Sequence, residues 1–115
     1  MKLLLDENLP VKLKYRFVEN GINAFTIKDM GWLGKENGSL LKEMLLNDFT
    51  TFITIDNNLS FQNNFKDYPI AVIILWKTHN IYDTIMNFFD MILLGIKDDF
   101  TGPKIVMHPG FKSKR

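Results

Sequence analysis

Three short, nearly unbroken apolar runs constrain the fold of this chain most: Leu3-Leu4-Leu5, Phe52-Ile53-Thr54-Ile55 and Ile70-Ala71-Val72-Ile73-Ile74-Leu75. Each is too short for an ordinary helix and lacks the alternation of a strand with one wet face. Each therefore reads as a strand buried on both sides, as in a parallel sheet covered by helices. The first run ends on Asp6-Glu7-Asn8 and the second on Asp56-Asn57-Asn58. Both polar clusters thus stand at the C-terminal ends of parallel strands, where open α/β sheets bind their ligands.

The segments between the strands carry helical signals. From about Leu9 to Asn20, Leu9, Leu13 and Phe17 repeat at i+4; Asn8 can cap, Pro10 suits a first turn, and Gly21 ends the helix. Asn23 to Ile27 is a short second strand. Lys28 to Gly38 holds Gly31, Gly34 and Gly38 without periodicity and reads as a loop at the sheet rim. Leu40, Leu41, Met44 and Leu45 mark a second helix, and a short helical piece follows Asp56 through Phe65. Ile81, Ile85, Phe88, Phe89, Ile92 and Leu93 give the clearest helical stripe in the chain, and Lys104 to Met107 reads as an edge strand. The expected fold is an α/β three-layer, doubly wound sandwich with a mainly parallel sheet and right-handed crossovers, of Rossmann-like type.

A chain of 115 residues, 46% hydrophobic and 23% charged, suits one soluble domain, taken as residues 1–108 with a short basic tail at 109–115. The net charge of +1 gives no strong global field, so nucleic-acid contact needs a local patch. Lys12, Lys14, Arg16, Lys28, Lys35 and the tail Lys112, Lys114 and Arg115 are the candidates, weighed against plain solvated lysines. With no cysteine there is no disulfide, thiolate nucleophile or Cys-based zinc site. The start turns acidic too soon for a signal peptide and no apolar run reaches about 18 residues, so a cytoplasmic, non-membrane protein is expected.

Asp6 with Glu7, and Asp56 with Asn58, form the candidate catalytic set. Taken singly, either acid is simply a helix cap or an Asx turn. Taken together at adjacent strand ends, two carboxylates would repel unless a cation lies between them, and hard oxygen ligands suit Mg²⁺ or Mn²⁺. Lys35, Asn37, Gln62, Asn64 and Asn8 are candidate substrate-binding residues: a cation for phosphate, and amides for hydrogen bonding to phosphate or base. Trp32 either stacks on a nucleobase or plugs its loop onto the core. His79 and His108 lack a spaced partner.

The opening Leu-Leu-Leu-Asp-Glu-Asn-Leu-Pro, the loop Asp29 to Gly38 with Leu40-Leu41 after it, and Thr54-Ile55-Asp56-Asn57-Asn58-Leu59 through Gln62 and Asn64 resemble the PIN-like domains of the DUF5615 type. That family is related to toxin nucleases and is often encoded beside a small antitoxin. The resemblance covers roughly residues 2–76. It implies a metal-dependent ribonuclease fold, with Asp6 and Asp56 as metal ligands, Mg²⁺ or Mn²⁺ as cofactor, RNA as substrate, and a small antitoxin or a second copy of the chain as partner. Two positions depart from the pattern. Asn58 and Asn37 stand where relatives often carry acids, which weakens a two-metal site and opens a second reading, a PIN-like binding partner without catalysis. Glu36 or Glu43 could supply a missing ligand. A bacterial receiver domain is a third template, with Asp6-Glu7, Asp56, Thr78 and Lys104 in its acidic, phospho-accepting, hydroxyl and lysine positions. Asn57-Asn58-Leu59 after the third strand, and Pro103 before rather than after Lys104, fit it poorly.

Overall fold

The computed structural model describes residues 1–55, 68–76, 82–87, 89–97 and 102–107. Five strands, β1 (Lys2–Leu5), β2 (Asn23–Thr26), β3 (Thr51–Thr54), β4 (Ala71–Trp76) and β5 (Gly102–Met107), form a sheet in the order β2-β1-β3-β4-β5. Every neighbouring pair is parallel. The described helices are α1 (Leu13–Glu19), α2 (Asn37–Leu46), α3 (Tyr82–Met86) and α4 (Phe89–Lys97). The doubly wound α/β architecture expected from the apolar runs is the one observed.

The strand period of two sorts the runs into two cores. Leu3, Leu5, Ile53, Ile73 and Leu75 face α1, α3 and α4 and pack with Leu13, Phe17, Ile85, Phe89, Ile92 and Ile96. Leu4, Phe52, Val72 and Ile74 face the other way, onto Leu40, Leu41 and Met44 of α2. Both faces are dry, which is why these strands show no alternation. Across the first core Phe17 and Phe89 pair with ring centroids 4.9 Å apart.

That shared face departs from the expectation of uniformly right-handed crossovers. The step from β1 to β2 and the step from β4 to β5 cross the sheet in opposite directions, yet α1 and α4 lie on the same face. The two connections therefore wind with opposite hands. The reason lies in what needs cover: α1 follows β1 toward the β2 edge, and Ile53, Ile73 and Leu75 on the same face require the apolar stripe of α4.

α1 starts later than the capping signals suggest. The amide of Leu9 bonds to Asp6 O at 3.0 Å, and Leu13, Lys14 and Tyr15 bond to the carbonyls of Pro10, Val11 and Lys12, so tight turns occupy residues 6–12. The N-cap is Lys12, with no side-chain cap bond. Asn8 is exposed in the first turn and caps no helix. Gly21, at φ 78°, closes the C-terminus in the left-handed region that glycine favours, after the amides of Asn20 and Ile22 have bonded back to Phe17 O.

Candidate functional site

Strand order reverses between β1 and β3: the chain leaves β1 toward β2 on one side and returns to β3 on the other. This is the topological switch point, whose carboxyl-end crevice is the usual ligand site of open α/β sheets. Asp6 stands there. Its amide donates to Ile53 O at 3.0 Å, extending the β1–β3 ladder by one position. One carboxylate oxygen, Oδ2, accepts the Thr54 hydroxyl at 2.6 Å, and the other accepts the Glu7 amide at 2.8 Å. Thr54 is fully buried and Asp6 half-buried, so a rigid donor in the sheet orients a carboxylate at its rim. The distance suits a charge-assisted bond from hydroxyl to carboxylate.

Beside Asp6, over the ends of β1 and β2, lies a cleft of about 110 Å³. Asp6 and Glu7 form its acidic wall, Leu9 and Val11 line it from the segment before α1, and Thr26, Lys28 and Leu33 close the β2 side. The rim loop is held by a compact network. Asp29 Oδ2 accepts Lys14 Nζ at 2.7 Å and the Thr26 amide at 2.9 Å, and the Asp29 amide donates back to Thr26 Oγ1 at 3.0 Å. The Lys14 ammonium, with help from the Thr26 amide, holds the Asp29 carboxyl below the usual aspartate value. Gly31, at φ 74°, lets the loop turn so that the Trp32 amide reaches Ile27 O at 3.0 Å.

Of the residues singled out by sequence, Asp6 and Glu7 both line the cleft, whereas Asn8 is not among its lining residues and is exposed in a turn. Lys35 lies outside the cleft lining, with Nζ 4.0 Å from Glu43 on α2, so each engages the other. Asn37 is the first residue of α2. Asp56, Asn58, Gln62, Asn64, Thr78, His79 and His108 lie outside the described residues. Trp32 is 8% exposed and packs on Phe49 at 5.7 Å, so it plugs its loop onto the core. Of the basic candidates, Lys14 pairs with Asp29 and Arg16 with Glu19. Lys12 sits over the Tyr82 ring, and Lys28 is the cation that lines the cleft. Lys28 was visible in the sequence only as one lysine among several; the parallel register of β1 and β2 gives it its place.

Asp6 and Glu7 are hard oxygen donors of the kind Mg²⁺ and Mn²⁺ accept. Among the described residues no group of three metal-ligating side chains forms, so a complete ligand set would need a residue beyond β3. In β5, Lys104 pairs with Ile73, three positions short of the Met107–Trp76 end of the ladder. Ile73 in turn pairs with Ile53 and Ile53 with Leu5, so Lys104 is level with the residue before Asp6, while β4 and β5 run on beyond the ends of β1 and β3. Among the described residues no helix is long and apolar enough to cross a membrane. The class defined by fold and cleft is a doubly wound α/β domain with an acidic switch-point site. No known protein family matches the chain, and no characterised protein or solved structure was found to resemble it.

Proposed function

We propose that the protein is a metal-dependent ribonuclease of PIN-like type, the cytoplasmic toxin of a toxin–antitoxin pair, with Asp6 and Asp56 holding Mg²⁺ or Mn²⁺. The observation that carries this reading is the Asp6 carboxylate, oriented by the buried Thr54 hydroxyl at the switch point. Asp56 follows Thr54 by two positions in the chain. A cation held by such carboxylates would supply Lewis acidity toward a phosphate and toward a bound water. The residues do the rest by position: Thr54 fixes the Asp6 carboxylate, the Glu7 amide donates to its second oxygen, and Lys28 offers positive charge to a phosphate entering the cleft.

A second reading, a PIN-like binding partner that has lost catalysis, is favoured by Asn37 and Asn58 standing where relatives often carry acids. Cleavage of a labelled single-stranded RNA by the wild type, Asp6→Ala and Asn58→Asp, purified identically, separates the two. The nuclease reading expects weak wild-type activity, better with Mn²⁺ than Mg²⁺, lost in Asp6→Ala and raised in Asn58→Asp. Activity surviving Asp6→Ala belongs to a contaminant. No activity in any of the three favours the binding partner.

A further inference from the structure

α1 is apolar on two sides. Leu13 and Phe17 are fully buried against the sheet, whereas Val11, Tyr15 and Val18 are 59%, 53% and 49% exposed. At about 100° per residue, Tyr15 and Val18 fall on the side of the helix opposite Leu13 and Phe17, and Val11, in the turn before the helix, lies one turn ahead of Tyr15. The outer side of a helix in such a sandwich is ordinarily polar, and a single exposed aliphatic such as Leu46 on α2 needs no explanation. Three in one row form a surface.

The charges beside the row say what fits it. Lys12 and Glu19 are seven positions apart, nearly two full turns, and so share one flank. On the other flank Lys14 is already paired with Asp29. Among the described residues Lys12 has no carboxylate partner, and Glu19, though it accepts Arg16, keeps a side chain 60% exposed. When two copies of α1 pair antiparallel about a two-fold axis at Tyr15, Val11 meets the partner's Val18 and Lys12 comes beside the partner's Glu19. The symmetry makes each match twice. A parallel pairing would set Lys12 against the partner's Lys12 and Glu19 against the partner's Glu19.

We infer that the outer face of α1 docks a second copy of this chain, in an isologous dimer of antiparallel α1 helices with Val11, Tyr15 and Val18 at its centre and Lys12–Glu19 pairs at its rim. A central tyrosine with charges kept to the edge is the usual anatomy of such contacts. The row is short against the roughly 800 Å² per partner of a standard interface, so the dimer is a weak one, with a dissociation constant of about 10–100 μM. Val11 also lines the cleft beside Asp6, so the second copy stands at the edge of that cleft. The inference is independent of the nuclease reading.

Sedimentation equilibrium of the full chain from about 5 to 500 μM tests it. The apparent mass should climb from the 13.4 kDa of one chain toward twice that value. Val18→Lys, at an exposed position, should leave the circular dichroism spectrum unchanged and hold the protein monomeric, while Leu46→Lys, on the helix across the sheet, should leave the dimer as it was. Lys12→Glu and Glu19→Lys each set like charges together at both rim pairs and should weaken the dimer about tenfold. An equimolar mixture of these two variants should recover it, because opposite charges then meet at both pairs. A chain that stays monomeric to about 500 μM leaves the row to some other partner and overturns the inference. A dimer that survives Val18→Lys, or is broken by Leu46→Lys, forms elsewhere and overturns it too, as does a mixture no tighter than either charge variant alone.

Discussion

Replacing Thr54 by Val probes the one bond on which the site most depends. The change keeps the shape of a fully buried side chain and deletes the hydroxyl that donates to Asp6 Oδ2 at 2.6 Å. A hydrogen bond to a charged group contributes about 1.5–3 kcal/mol, and the half-buried Asp6 can recover part of that from water, so a loss of about 1–2 kcal/mol is expected. With a urea m value of about 2 kcal/mol/M, the middle of the range for small domains, the midpoint should fall by roughly 0.5–1 M. The cycle with Asp6→Asn isolates the pair: the double variant should lose less than the sum of the singles, by about 1 kcal/mol. Far-UV circular dichroism in urea reads all four proteins. A coupling within about 0.3 kcal/mol of zero would refute the claim that Thr54 orients Asp6. If Asp6 is also a metal ligand, Thr54→Val should weaken Mn²⁺ binding by about 10–100-fold in calorimetry, as loss of a ligand's hydrogen-bond partner commonly does.

Phe17→Ala should cost about 3–5 kcal/mol, because the ring is fully buried against Phe89, and should lower the calorimetric Tm by roughly 12–20 °C; a fall under 5 °C would mean that α1 is not anchored there. Asp29 has a lowered folded-state pKa, so its contribution is complete above the ordinary aspartate range and is lost as pH falls through the lowered value. The urea-midpoint gap between wild type and Asp29→Asn should be constant from pH 5 to 8 and shrink below about pH 4, and a gap that ignores pH would remove the Lys14 pairing from the account. Acetyl phosphate or beryllofluoride should leave Asp56 unmodified, since a nuclease uses a metal to activate water whereas a receiver needs Asp56 itself as the nucleophile; a phosphoryl adduct on Asp56 by mass spectrometry would favour the receiver template.

Leu3 to Leu5, Phe52 to Ile55 and Ile70 to Leu75 disclosed their strands because burial on two faces leaves no polar position to break the run. The same logic put Asp6 at the end of a strand. What the chain order could not disclose was which strands adjoin and which face each helix covers, since both are settled by packing between distant segments. Lys14 and Asp29 are 15 positions apart and meet because β1 and β2 are parallel neighbours. Trp32 had two physical uses, and only the nearness of Phe49 decides for the core. The helix signal at Leu9 was sound in period but misplaced in onset, because Leu9 is buried from a turn rather than from a helix. Lys28 stood out only as one basic candidate among several and Leu33 carried no signal, as a loop without periodicity gives none.

The packing of α4 beside α1 has a consequence for the chain while it is being made. β1, α1 and β2 are complete once residue 26 has left the ribosome, yet the side chains that cover Leu3, Leu5 and Phe17 include Phe89, Ile92 and Ile96. At synthesis rates of about 5–20 residues per second, those covering side chains arrive roughly 4–14 s later. For that interval the nascent N-terminal unit displays an apolar surface with nothing to close it. A chaperone that holds such surfaces has its opportunity then, and a transcript truncated before α4 yields a chain that never ceases to need one.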